Sequence, residues 1–137
     1  MTQADSPRAV AEAILAHIDA GRWGELAAFY AENAVVEQPF ALPAPVRIEG
    51  RAAIARHFGA AAKVPLALAV RNARFIEGTE PGTIVAEYEY ELRAPDGGNA
   101  ARVSNVQVFC IADGKVASSR DYHDHHRIGE AFAALRG

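Results

Sequence analysis

The chain has almost no sulfur, with one cysteine, Cys110, and one methionine, Met1, in 137 residues. A lone thiol closes no intrachain bridge, and without neighbouring cysteines it builds no zinc ribbon, so a disulfide framework and a cysteine metal site are both excluded. Cys110 reads as a small buried hydrophobe. An excess of one charge is lacking as well. The 14 basic and 17 acidic residues leave a net charge of −3, with no Lys/Arg block, so neither nucleic acid nor an anionic membrane surface is an expected partner. No apolar run is long enough to span a bilayer. Asp5, Ser6 and Pro7 stand where a secretory leader needs continuous apolar residues, so the expected location is cytoplasmic. Internal repeats and linkers are missing, as are a serine nucleophile elbow, a glycine-rich phosphate loop and a dinucleotide fingerprint. No cofactor is implied.

What is present is core material: half of the residues are apolar, enough for one domain over residues 1–137. Ser6 and Pro7 open a helix that Gly21 closes, with Val10, Ile14, His17 and Ile18 on one face. Arg22 to Ala31 repeats the helical spacing through Trp23, Leu26, Ala27 and Tyr30. Ala34 to Gln38 suits a short strand, after which Pro39, Pro43 and Pro45 exclude regular structure until Gly50. A third helix runs from Arg51 to Ala61 with Ile54 and Phe58 as its buried line.

From Leu66 the apolar period shortens to two. Leu66 to Glu77, Thr83 to Arg93, Ala101 to Ala112 and Lys115 to about Asp124 read as strands joined by hairpins, the tightest at Asp113-Gly114, so an antiparallel sheet is expected. His126 to Arg136 closes the chain as a short helix through Ile128, Phe132 and Leu135. The sum is an α+β fold, three N-terminal helices packed on a curved antiparallel sheet with a short C-terminal helix. In the third of these strands Val103, Phe109 and Ile111 face one way and Val106, Val108 and Cys110 the other. Two apolar faces point to a second subunit on the outer one, hence a homodimer.

Several residues could carry chemistry. The strand Thr83 to Arg93 turns Tyr88 and Tyr90 inward and Glu87, Glu89 and Glu91 outward. A row of three glutamates reads as a solvated edge, whereas inward phenols need partners that a ligand oxygen can supply. In the last strand Ser119, Asp121 and His123 share a face. If that face is the inner one, burial raises the pKa of Asp121 toward the range where a carboxyl exchanges protons near neutrality. His123 and His125 project alike, yet no spacing supplies a third ligand with them or with His126, so no metal site is assigned. His17 and His57 lie on or beside apolar helical faces and read as core or pocket-lining residues.

Particular strings then carry a resemblance that covers nearly the whole chain. They are Asp19-Ala20-Gly21, Phe29-Tyr30-Ala31-Glu32-Asn33-Ala34-Val35, Gly50-Arg51, Asp113-Gly114-Lys115-Val116 and Arg120-Asp121-Tyr122-His123-Asp124. The sequence resembles the nuclear transport factor two-like superfamily, whose cone-shaped domains include ketosteroid isomerase, SnoaL-like polyketide cyclases and limonene epoxide hydrolase. The resemblance implies that Asp121 lies in a pocket, like the acid/base aspartate of the cyclases and the water-activating aspartate of the hydrolase. Gln38 falls where the hydrolase holds water and where the isomerase has its proton-shuttling aspartate, and an amide cannot take over that shuttle. Tyr88 and Tyr90 fall at the hydrolase's arginine and partner aspartate. Asn105 falls near the isomerase's protonated acid.

The implied activity is proton transfer by Asp121 on an apolar carbonyl-containing ligand, in isomerisation or cyclisation. Gln38 would place substrate or water, and Tyr88, Tyr90 and Asn105 would donate hydrogen bonds. His17, Trp23, Phe40, His57 and His123 would shape the cavity. Two alternatives remain open, a non-catalytic ligand-binding or dimeric accessory domain and an epoxide-hydrolase-like addition of water.

Overall fold

The computed structural model describes residues 6–136, and the readings placed on Asp5 and on the Leu135 side chain lie outside the described residues. Ser6 Oγ accepts the Ala9 N–H at 3.2 Å and opens α1 (Pro7–Asp19), which buries Val10, Ala11, Ile14, Leu15 and Ile18. This is the capped, one-faced helix that the sequence spells out. The next segment differs from expectation. Trp23–Phe29 is a 3-10 helix, and Tyr30 already belongs to strand β1 (Tyr30–Gln38). With β-branched and aromatic residues ahead, the chain leaves the helix one turn early, and Tyr30 becomes a fully buried strand residue. The prolines after Gln38 do not exclude regular structure either. Val46–Glu49 forms β2, paired antiparallel with β1 at the sheet edge, where one flanking proline removes no ladder bond.

Helix α2 (Arg51–Ala61) and strands β3 (Ala67–Glu77), β4 (Thr83–Arg93), β5 (Ala100–Ala112) and β6 (Lys115–His123) follow, with α3 (His125–Arg136) last. The six strands lie in the order β2-β1-β6-β5-β4-β3. From β3 to β6 the sheet is the expected antiparallel meander, but β1 runs parallel to β6, so the whole sheet is mixed. The parallel junction arises because α2 and the β2 hairpin lie between β1 and the meander, and the final strand returns beside the first.

The outer face matches expectation at the glutamates. Glu87, Glu89 and Glu91 meet Arg74 at 2.8 Å, Arg102 at 2.9 Å and Arg71 at 3.3 Å. Cys110, expected to be buried, is exposed on this face. Its strand neighbours Phe109 and Ile111 take the inner side instead.

One irregularity decides which side chains of β6 enter the fold. The Asp113-Gly114 turn has φ of 54° and 74°, as a two-residue hairpin requires. It pairs Ala112 with Lys115 and Ile111 with Val116, but Cys110 pairs with Ser118. Ala117 is therefore an extra residue, a bulge that reverses the alternation. Val116 points inward before it, and Ser119 and Asp121 point inward after it. Among the described residues, no helix is long and apolar enough to cross a membrane.

Candidate active site

Between the concave side of the sheet and the helices lies a cavity of about 660 Å³. Its walls are mainly apolar, from Trp23, Phe58, Leu68, Leu92, Ile128 and Phe132, and α3 covers part of it through the last two. Its polar lining comes from Asp19 at the end of α1, Tyr30 and Gln38 from β1, His57 from α2, Tyr90 from β4, Gln107 from β5, Asp121 and His123 from β6, and His125 from α3. No lysine or arginine is among the described lining residues. Converging polar groups in an apolar cavity of this size are the usual form of a small-molecule site.

Asp121 lies in this wall and is only 5% exposed. The Ser119 hydroxyl, two residues back on the same face, donates to its Oδ1. Gln107 pairs with Asp121 across the β5–β6 ladder and also hydrogen-bonds the carboxylate. The Gln107 Oε1 in turn accepts from the Tyr88 hydroxyl at 2.7 Å. Burial raises the pKa of Asp121, while Ser119, Gln107 and nearby His57 pull the other way, and burial wins. No ion pair among the described residues holds the carboxylate.

Gln38 sits on the neighbouring strand, one step beyond the Glu37–Arg120 pair. Its Nε2 approaches His57 Nε2 at 3.4 Å. The amide nitrogen can only donate, so the imidazole accepts there. Burial lowers the pKa of His57, with Asp121 opposing. Burial raises that of Tyr90 to about 12, so its phenol stays protonated and remains a donor. His123 stacks on Tyr90 with ring centroids 5.8 Å apart. Burial, then His125 and His57, lower its pKa to about 4, so it is neutral near pH 7.

Of the residues singled out from sequence, Asp121, Gln38, Tyr90, His57, His123 and Trp23 meet at this cavity. Four do not line it. Tyr88 is buried behind the wall, its hydroxyl held by Gln107. Asn105 holds His123 through Oδ1. His17 uses Nδ1 to donate to the Ala13 carbonyl at 2.8 Å, one helical turn back, and its Nε2 lies 3.6 Å from Glu25. Phe40 is 64% exposed and packs edge-on against Tyr122 on the outer face of the sheet. Sequence reasoning missed Gln107, because pairing counted from the Asp113-Gly114 turn without the bulge puts Arg120 opposite it. It also missed Tyr30, which lines the cavity from β1.

Residues 11–119 match the SnoaL-like domain family. Protein YesE of Bacillus subtilis, itself uncharacterized, is 30% identical over 115 residues, covering 83% of this chain and 76% of that protein. A solved Bacillus subtilis structure, provisionally named an isomerase, superposes with a TM-score of 0.83 at 25% identity, over 97% of this chain and 96% of that one. A provisionally named polyketide cyclase from Xanthomonas campestris gives 0.75 at 20% identity, over 92% and 96%. The epoxide hydrolase/cyclase-like enzyme SalBIII, which has a role in pyran ring formation in the polyether salinomycin, gives 0.68 at 19% identity, over 88% and 92%. The fold is thus shared with proteins named for isomerisation and cyclisation, and the chain belongs to the SnoaL-like domain family.

Proposed function

We propose that the protein is a cofactor-independent acid/base enzyme that moves a proton beside the carbonyl of an uncharged, mainly apolar small molecule, in an isomerisation or cyclisation. The observation that carries this reading is the Asp121 carboxylate, 5% exposed in the wall of an open apolar cavity, with two hydrogen-bond donors and no cation beside it. A base in such a site meets its substrate without a shell of water, and burial brings its pKa toward the operating pH.

In this mechanism Asp121 removes the proton from the carbon next to the ligand carbonyl. The electron pair moves onto the carbonyl oxygen, where the Tyr90 hydroxyl supplies a hydrogen bond. A preorganised donor of this kind contributes about 3 kcal/mol. Protonated Asp121 then returns the proton to a second carbon, or the new nucleophilic carbon attacks a second carbonyl carbon of the ligand to close a ring, and the alkoxide formed as that C=O π bond opens takes the proton from Asp121. Gln38 orients the ligand from β1, and Ser119 and Gln107 hold the carboxylate in one rotamer. The described lining residues include no lysine or arginine, which disfavours a carboxylate or phosphate ligand that would meet Asp121 with none of them to offset the repulsion.

The test is exchange of the α-protons of 2-tetralone into deuterated buffer, followed by NMR. The wild type should accelerate exchange, and D121N should lose on the order of 10²–10⁴-fold while remaining folded. Equal exchange by the two proteins removes Asp121 from the chemistry. Binding of the ketone without accelerated exchange would favour the non-catalytic ligand-binding role.

The reading includes a homodimer formed through the outer face of the sheet. Val106 and Tyr122 there line a groove of about 410 Å³ with Phe40 and Leu42, each of the latter two 64% exposed, and exposed Cys110 continues the apolar surface along β5. Light scattering across micromolar concentrations should give twice the chain mass, and V106R should halve it. A monomeric wild type overturns this part alone.

A further inference from the structure

Two imidazoles in the cavity wall have no part in proton transfer at Asp121. Asn105 fixes the first. Its Nδ2 donates to the Val103 carbonyl at 3.2 Å, which sets the amide so that Oδ1 faces His123. The distance from that oxygen to His123 Nδ1 is 2.7 Å. An amide oxygen can only accept, so Nδ1 carries the ring proton. Because the ring is neutral near pH 7, Nε2 is left with a lone pair.

The second imidazole is His125, the first residue of α3. Its ring stands edge-on to His123 with centroids 5.7 Å apart. Its Nε2 is buried with no hydrogen-bond partner. A buried polar atom in that state costs stability, and a ligand that reaches it removes the cost. Both rings line the cavity, at the end where Ile128 and Phe132 of α3 cover it. A hydroxyl is the ligand group that suits the pair. It donates to the lone pair of one ring, and its oxygen also suits the other ring when that nitrogen carries the proton.

We infer that this end of the cavity is a subsite for a ligand hydroxyl, which donates to Nε2 of His123 beside Nε2 of His125, so that the substrate class is an uncharged hydroxylated compound, phenolic or alcoholic. The inference rests on the acid/base reading for the ligand's other end and adds a specificity-determining residue, His123, with Asn105 as its positioning residue. A bare ketone leaves the subsite unanswered. An ether of the same skeleton presents only an acceptor to the His123 lone pair.

The experiment compares 2-naphthol with 2-methoxynaphthalene by isothermal titration calorimetry on the full chain at pH 7. The wild type should bind the naphthol about tenfold more tightly or better, since a lost buried hydrogen bond is worth that much. H123F should bring the two ligands within about twofold by weakening the naphthol and not the ether. Among the other acceptors that line the cavity the buried acid is Asp121, and D121N separates it from His123, because the preference should survive in D121N and vanish in H123F. The reverse pattern overturns the subsite, as does an equal affinity in the wild type or a failure to bind either compound. NMR of ¹⁵N-histidine protein gives the same answer without a substitution. The His123 Nε2 signal should be of the unprotonated type and should move with naphthol but not with the ether, and N105L should disturb this tautomer. An Nε2-protonated His123 in the wild type overturns the subsite too. Loss of proton exchange in D121N with no naphthol preference anywhere would leave the acid/base reading standing and sink this one.

Discussion

Gln107 stands directly opposite Asp121 across β5 and β6, and its amide joins the buried carboxylate to the buried Tyr88 hydroxyl. Two polar groups depend on one side chain, so Q107L should cost about 1–3 kcal/mol, more than a leucine recovers by its apolar area, because the buried Tyr88 hydroxyl loses its 2.7 Å acceptor. The same substitution removes one of the two hydrogen bonds that favour the ionised form of Asp121. Its pKa should rise further, and the acid limb of a pH–rate profile for proton exchange should move to higher pH. Denaturant unfolding and the profile check the two halves independently.

Asp121 itself should be a stability burden near neutrality. Its pKa is raised by burial in the folded chain, so the folded state binds its proton more tightly than the unfolded state does. The stabilising contribution is therefore present below the ordinary carboxylate pKa of 3.8 and is lost as pH rises through the folded-state value. D121N, which keeps the shape of the protonated acid, should melt above the wild type at pH 7 to 8, and the gap should close as the pH falls toward 4. A wild type that is the more stable partner at pH 8 would mean that Ser119 and Gln107 outweigh burial.

Much of this site was legible, and the residues show where legibility stopped. Helix α2 and strand β4 have the bounds read from sequence, because period and turn residues agree within each segment. Asp121 was placed on one face with Ser119 and His123, and that face is the inner one. Local pattern could not supply the extra residue at Ala117, which is a property of the pairing of two strands and decides whether Gln107 or another residue meets the acid. The parallel β1–β6 junction was hidden for the same reason, since it joins segments about eighty residues apart. The sequence pattern makes Tyr88 and Asn105 donors to a ligand. Each instead spends its polar atoms on a neighbour, a distinction that alternation along a strand cannot draw.

The two tyrosines of β4 should therefore separate in mutagenesis although they differ in position by only two residues. Tyr88 is buried behind the wall and bonded to Gln107, whereas Tyr90 lines the cavity. Y88F should lower stability by about 1–2 kcal/mol, through the loss of a buried hydrogen bond, and change proton exchange little. Y90F should change stability less and reduce kcat by about 10²-fold, as expected for removal of a donor to a charged oxygen. Equal effects of the two on kcat would place both hydroxyls at the substrate.

His123 should make the fold less stable at acid pH. Its pKa is depressed from 6.5 to about 4, chiefly by burial, so the folded chain holds the ring neutral where the unfolded chain would protonate it. A depressed value of this kind gives stability that is complete above the unfolded pKa and is lost as pH falls from 6.5 toward 4. The shift corresponds to about 3 kcal/mol across that interval. His57 and His125 are lowered as well and add to the loss, whereas Asp121 changes in the opposite sense over the lower part of the range. Subtracting the pH–stability curve of H123F from that of the wild type cancels those shared terms. The difference should fall by a few kcal/mol between pH 6.5 and 4 and stay flat from pH 7 to 9. A difference that is flat throughout would mean that the ring takes up its proton at Nε2 in the folded chain as readily as in the unfolded one.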